Sequence, residues 1–195
     1  MKSLSLSQPH VIVMVGVPGS GKSFFAEKFS ETFNAPYACL EKITPFAKSA
    51  TAANHIFEQQ VSELLKTRQS IIVEGIAAGR IARDTFVRKA KAAHYEILFV
   101  WVQTDPATAK SRALRKAKDS DMTLTSDQYD KIVRQFNAPT AIEKSLVISG
   151  KHTYATQAKV VLKRLSAPRA EISTHSAAPV RTEEQPRRRG NIVVR

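Results

Sequence analysis

The sequence predicts an α/β fold built on a parallel sheet that helices cover on both faces. Three observations carry this expectation. Short apolar runs alternate with longer segments of helical spacing, the order produced by strands joined through crossover helices. The first run, His10 to Val15, leads into a glycine-rich turn that leaves as a helix. The run from Tyr95 to Val102 (YEILFVWV) reads as a strong buried strand.

Each element has its own grounds. β-branched residues dominate His10 to Val15, and Phe24 to Phe33 sets its charges opposite its apolar positions. Ala35-Pro36 interrupts the chain, and Tyr37 to Leu40 offers a short second strand. From about Ser49 to Lys66, the positions Ile56, Val61, Leu64 and Leu65 recur at helical spacing. Ser70 to Glu74 (SIIVE) is a strand that stops at Gly75, and Ile81 to Ala93 is helical with Ile81, Phe86 and Val87 inward. Asp105-Pro106 reads as an N-cap followed by proline at the first helical position, opening a helix toward Lys118. A polar stretch from Asp119 to Thr123 precedes a helix from about Ser126 to Phe136, capped by Ser126 or Asp127. Leu146 to Ile148 is the last strand. Thr153 to Leu165 is the last helix, with Val160, Val161, Leu162 and Leu165 as its apolar set. From about Pro168 periodicity vanishes, so residues 1–167 are expected to form one domain and residues 168–195 a disordered basic tail.

Composition narrows the class. A chain of 195 residues suits one domain with a sizeable core, and a hydrophobic content of 43% is ordinary for a globular protein. The apolar runs are too short to cross a bilayer, so no membrane partner is expected. Reading the N-terminus as a signal peptide fails, because cleavage would remove the strand that feeds the glycine-rich turn. The single Cys39 excludes an internal disulfide framework, fits a reducing cytoplasm and reads as a small buried hydrophobe. The five histidines show no metal-site spacing. Of the net charge of +13, residues 168–195 with six Arg and three Glu supply +3, leaving +10 on the body. That excess suits nucleic acid, acidic proteins or substrate phosphates, or else a generally solvated surface.

Residues Gly16 to Ser23 read GVPGSGKS, a full match to the phosphate-binding pattern G-x-x-x-x-G-K-[ST]. Gly16, Val17, Pro18, Gly19, Ser20 and Gly21 form the loop, whose glycines let backbone approach phosphates closely. Successive amides and the following helix N-terminus then cradle anionic oxygens. Lys22 is expected to reach the β- and γ-phosphates, and the Ser23 hydroxyl to hold Mg²⁺. A nucleoside triphosphate is therefore the expected ligand.

The loop alone does not separate GTPase, motor ATPase, helicase and kinase. Small size and the lack of an N-K-x-D base-specificity motif favour a small phosphotransferase. Between Pro106 and Lys118 stand Lys110, Arg112, Arg115, Lys116 and Lys118, with no acidic residue. Arg112 can share a helix face with Arg115 or with Lys116. On a closing lid such residues neutralise the oxygens in transfer; on a solvated face they do nothing of the kind.

Together GVPGSGKS, VEGI at Val73 to Ile76, TDPATAKSRALRKA from Thr104 to Ala117 and VISGKHTYATQAKVVLKRL near the end resemble small P-loop kinases. The types are the polynucleotide-kinase-like and zeta-toxin-like AAA-type ATPases, and the resemblance covers roughly residues 10–165. It implies a three-layer αβα P-loop NTPase domain whose five-stranded parallel sheet has the order 2-3-1-4-5. It also implies ATP with Mg²⁺ as donor, Arg112, Arg115 or Lys116 as lid residues, and Ser149 to Thr153 near the adenine.

Kinases of this group place an aspartate just after the second strand, where it accepts the substrate hydroxyl proton. Here no aspartate precedes Asp84, and that position reads Cys39-Leu40-Glu41-Lys42. Glu41 either takes the base role or is a surface glutamate opening a helix. Glu74 ends an apolar strand at the edge where ligands bind in parallel sheets. Beside the phosphate loop it would hold a Mg²⁺-bound water or the substrate, since burying an unpaired carboxylate is costly. Arg80 and Arg83, three apart, either share a face toward an anionic substrate or serve solubility. Asp105 reads as structural, and Trp101 as core.

The expected function is an ATP-dependent kinase with an unidentified phosphoryl acceptor. The alternatives are an ATP-dependent switch or ATPase without transfer, and a nucleic-acid-associated protein that binds through the basic surface and the Arg187-Arg188-Arg189 tail. If the tail carries such binding, deleting residues 168–195 should abolish oligonucleotide affinity and flatten its salt dependence. Retained binding after the deletion shows that the tail is not the carrier.

Overall fold

Strand β1 (His10–Val15) lies at the centre of a five-stranded sheet of order β2-β3-β1-β4-β5, all neighbours parallel. The computed structural model describes residues 4, 6–76, 79–118 and 124–167; the expected tail and the polar stretch at 119–123 lie outside them. The other strands are β2 (Tyr37–Cys39), β3 (Ile71–Glu74), β4 (Glu96–Gln103) and β5 (Leu146–Ser149). Helix α1 (Lys22–Phe33) follows β1, and α2 (Leu40–Ile43) and α3 (Ala50–Lys66) follow β2. Helix α4 (Arg80–Ala92) follows β3, α5 (Pro106–Lys118) and α6 (Ser126–Gln135) follow β4, and α7 (Tyr154–Leu165) closes the domain.

The unbroken apolar character of β1 follows from burial on both faces. Val11, Val13 and Val15 pack toward Phe57, Val61 and Leu65 of α3 and Phe86 and Ala90 of α4. Ile12 and Met14 face the other way, toward Phe25 and Phe29 of α1 and Val161 and Leu165 of α7. The alternation also decides where chemistry falls. Glu74 shares the face of Ile72, so its side chain emerges on the α1 side. The described helices include none long and apolar enough to cross a membrane.

Local signals start and stop the helices. Ser49 Oγ accepts from Ala52 N at 3.1 Å to start α3, and Asp105 Oδ2 accepts from Thr108 N at 2.9 Å beside Pro106. Asn34 ends α1 in the left-handed region. Some expectations need correction. Leu40 belongs to α2, so β2 ends at Cys39. The cap of α6 is Thr125, whose capping box with Gln128 satisfies two backbone donors. Ile81, expected inward, is 83% exposed, and Ile56, part of the apolar spacing that marked α3, is 48% exposed. The inward stripe of α3 is Ala53, Phe57, Val61 and Leu65, and that of α4 is Arg83, Phe86 and Ala90.

Arg83 is the main surprise of the core, because it is fully buried. Its Nε bonds Glu143 Oε1 at 2.5 Å, Nη2 bonds Glu143 Oε2 at 3.2 Å, and Nη1 donates to Asn137 O at 2.9 Å. Glu143 Oε2 also accepts from Thr140 N at 2.7 Å. The bidentate pair ties the segment between α6 and β5 onto α4. Arg83 is thus a structural clamp rather than a substrate ligand, and only Arg80, 3.8 Å from Asp84, stays near the surface.

Replacing Arg83 by Leu strands a buried carboxylate and should cost about 3–5 kcal/mol in urea denaturation. The Arg83 guanidinium holds the Glu143 carboxyl below its usual range against the opposing effect of burial. A depressed folded value gives stability that is present above the unfolded carboxylate value and lost as pH falls below about 4.3. Glu143→Gln should accordingly flatten the acid limb of the stability profile while lowering the plateau.

Candidate functional site

Three loops meet at the C-terminal edge of the sheet, where open parallel sheets bind ligands. The chain leaves β1 at Val15, turns through Gly16 to Gly21, and enters α1 at Lys22. Gly19 has φ of +76°, and a Cβ there would stand 2.0 Å from the Ala109 carbonyl oxygen. Glycine therefore lets α5, through its buried Ala109 and Ala113, rest directly on the loop. Across the loop, a Cβ on Gly150 would stand 2.1 Å from both Ser20 O and Thr104 Oγ1. Thr104 Oγ1 donates to Ser20 O at 2.8 Å, and Gly150 N to Gln103 O at 2.7 Å.

These contacts hold the loop in shape for an anion. The first amides of α1 have no intrahelical acceptor, and the positive end of the helix points the same way. Ser20 Oγ is fully buried inside the loop with no hydrogen-bond partner among the described residues. Buried polar atoms are seldom left so, and a bound triphosphate would supply acceptors at this place.

Glu74 sits beneath that cradle at the end of β3, 2% exposed. Ser23 Oγ donates to its Oε1 at 2.9 Å, and Lys22 Nζ lies 3.9 Å from the same oxygen. Tyr37 OH donates to Oε2 at 2.5 Å. Lys22 Nζ also donates to Val17 O at 3.0 Å. Burial lowers the Lys22 pKa, while the charges of Glu74 and Glu41 act in the opposite direction. Burial raises the Tyr37 and Cys39 values, with the Glu74 charge adding to both. Cys39 is buried, as expected for a small apolar residue on a strand.

Of the remaining candidates, Glu41 opens α2 half exposed, and Lys116 Nζ of α5 approaches its Oε2 to 3.4 Å. Arg112 is half-buried with Nη1 donating to Gly150 O at 3.2 Å, which joins α5 to the loop after β5. Arg115 is exposed on the same helix. Trp101 packs against the α3–α4 side of the core and also lines a groove of about 760 Å³ with Val17, Tyr129, Val133, Phe136 and Val147.

Sequence reasoning missed Tyr37 and Thr104 as parts of the site, and it placed Gly150 only within the segment Ser149 to Thr153 near the nucleotide, not against the phosphate loop. Thr104 and Gly150 act on backbone atoms far along the chain, which no local pattern announces. Tyr37 carried one available signal: it stands two residues before Cys39 on a short strand, so both side chains lie on one face.

A family model described as "AAA domain" matches residues 11–139. The chain belongs to that AAA domain family. Among solved structures, this AAA domain is similar to a gluconokinase from Sinorhizobium meliloti 1021. The TM-score is 0.60 at 18% identity over 80% of this chain and 91% of that one. A putative kinase from Chloroflexus aurantiacus aligns with a TM-score of 0.63 at 12% identity, over 83% of this chain and 100% of that one. The Mycobacterium tuberculosis APS kinase, in complex with AMPPNP and APS, aligns with a TM-score of 0.58 at 18% identity, over 82% and 99%. At such identities the likeness is one of fold: the five-stranded parallel sheet of order 2-3-1-4-5 is that of P-loop kinases. No curated protein matches this chain in sequence.

Gly19→Ala should force α5 off the phosphate loop, costing about 1–3 kcal/mol of stability. Thermal melting and calorimetric titration with ATP would read the loss of stability and of affinity together. An unchanged melt would mean that the contact with Ala109 yields freely.

Proposed function

We propose that this AAA domain is an ATP-dependent kinase that transfers the γ-phosphoryl group to an acceptor hydroxyl. The observation that carries the reading is the 2.9 Å bond from Ser23 Oγ to the buried Glu74 Oε1, with Lys22 Nζ at 3.9 Å. A hydroxyl, a buried carboxylate and an ammonium at the head of a glycine-rich helix start form a donor set suited to Mg²⁺ and a polyphosphate. Among the described residues no group of three or more His, Cys, Asp or Glu could hold a metal alone. Ser23 and Glu74 would hold the cation jointly with phosphate oxygens, the usual manner for magnesium. When bound there, such a cation would supply neutralisation of the triphosphate's charge.

The chain's own residues divide the remaining work. Lys22 leaves Val17 O to bind phosphate oxygens. Glu74 has hydroxyl donors on both oxygens, so it serves the metal side rather than proton transfer. Glu41, on the rim and within electrostatic range of Lys22, is the base that takes the acceptor proton. Arg112 and Arg115 stabilise charge on the group in flight, and Lys116 is released from Glu41 when the acceptor arrives. The acid-free face of α5 suits an acceptor that is itself phosphorylated or part of a nucleic acid.

One observation favours a second reading, an ATP-dependent switch without transfer. The ion pair to Lys116 occupies the Glu41 carboxylate assigned as the base. Labelled γ-phosphate offered to nucleosides, oligonucleotides and sugar derivatives separates the two. Transfer to none of them with ATP binding intact selects the switch.

Lys22→Ala should lower turnover by about 100-fold or more without unfolding the domain. Glu41→Gln should slow transfer by about 100- to 10,000-fold with ATP affinity retained. An unchanged rate in the second variant removes Glu41 from the mechanism.

A further inference from the structure

The Tyr37 hydroxyl does more than occupy the far oxygen of Glu74. Strand β2 pairs with β3 so that Cys39 lies opposite Glu74 and Tyr37 opposite Ile72. Tyr37 packs its ring against the α1-side core and extends along the strand until its hydroxyl meets Glu74 Oε2 at 2.5 Å. The ring itself is held. Lys42 Nζ stands 5.0 Å from its centroid, and the same nitrogen pairs with Glu27 at 2.8 Å.

This matters because the terminal torsion of a glutamate is broad, and the side chain alone does not decide which way its oxygens face. With Oε2 pinned on the β2 side, Oε1 is left toward Ser23 and Lys22. Without the phenol, Oε2 would be a buried acceptor lacking its partner, and the carboxylate would be free to turn.

We infer that Tyr37 is a positioning residue: its hydroxyl orients the Glu74 carboxylate so that Oε1 faces Ser23 and the nucleotide-bound cation. The inference rests on the reading of Ser23 and Glu74 as the metal side of the site. Partners that orient a ligand in this way are worth about 10- to 100-fold in metal affinity. Tyr37 also links β2, and through Lys42 the helix that carries Glu41, to the metal side of the cleft.

The test is calorimetric binding of AMPPNP to the full chain, with and without Mg²⁺, for Tyr37→Phe, Glu74→Gln, the double variant and Ser23→Ala. Tyr37→Phe should bind the metal-free nucleotide as the parent does, which also certifies its fold. It should lose about 10-fold or more of the gain in affinity that Mg²⁺ confers. In steady-state transfer it should lower kcat more than the acceptor KM. In the Glu74→Gln background the same substitution should change little, because its effect passes through that carboxylate. An equal loss in both backgrounds, or an unchanged Mg²⁺ gain in Tyr37→Phe, overturns the inference and leaves the metal site standing. An unchanged gain in Ser23→Ala and Glu74→Gln overturns the metal site itself, and the inference with it.

Discussion

A carboxylate buried at the edge of the sheet is the constraint around which the upper half of the molecule is arranged. Removing Glu74 from water is expensive unless its oxygens are occupied and its charge is answered. Ser23, Tyr37 and Lys22 meet those demands from two segments, the first turn of α1 and strand β2. Each partner is placed by ordinary packing. Phe25 and Phe29 seat α1 on the sheet, and their rings lie 5.3 Å apart in the core. The parallel register sets Cys39 and Met14 on either side of Glu74. The hydrophobic core thus fixes where a charge can be tolerated, and that charge fixes which donors gather beside the phosphate loop.

The lower half depends on a different buried ion pair, Arg83 with Glu143. Here the two charges satisfy each other and backbone groups. The contrast separates structure from chemistry. A buried charge whose partners are complete holds the fold; one that shares its donors with a phosphate-binding loop is available to a ligand.

The layered fold was legible because its causes are local. β-branched runs, the glycine loop, Asp105-Pro106 and the isolated acid at the end of SIIVE each state their role within a few residues. What escaped was non-local. Tyr37 and Glu74 are 37 residues apart, and Arg83 and Glu143 are 60 apart, so nothing in either neighbourhood marks the pairing. The misplacement of Ile81 has the same origin. An apolar letter at the start of α4 suggests an inward position, but the stripe that faces the core begins with an arginine whose partner lies beyond α6. Hydrophobic periodicity locates a helix well and rotates it poorly when its core face contains a satisfied charge.

The contact between Gly19 and the backbone of Ala109 and Ala113 bears on how the arginine helix can move. Its first two turns rest on the phosphate loop so closely that no side chain fits between the two backbones. Bending is therefore confined to the end beyond Ala113, where Arg115 and Lys116 lie within about 5 Å of the pivot along the axis. Such a short lever swings side chains rather than a domain. The loop and α5 meet backbone to backbone, so a shift in either would be felt directly by the other.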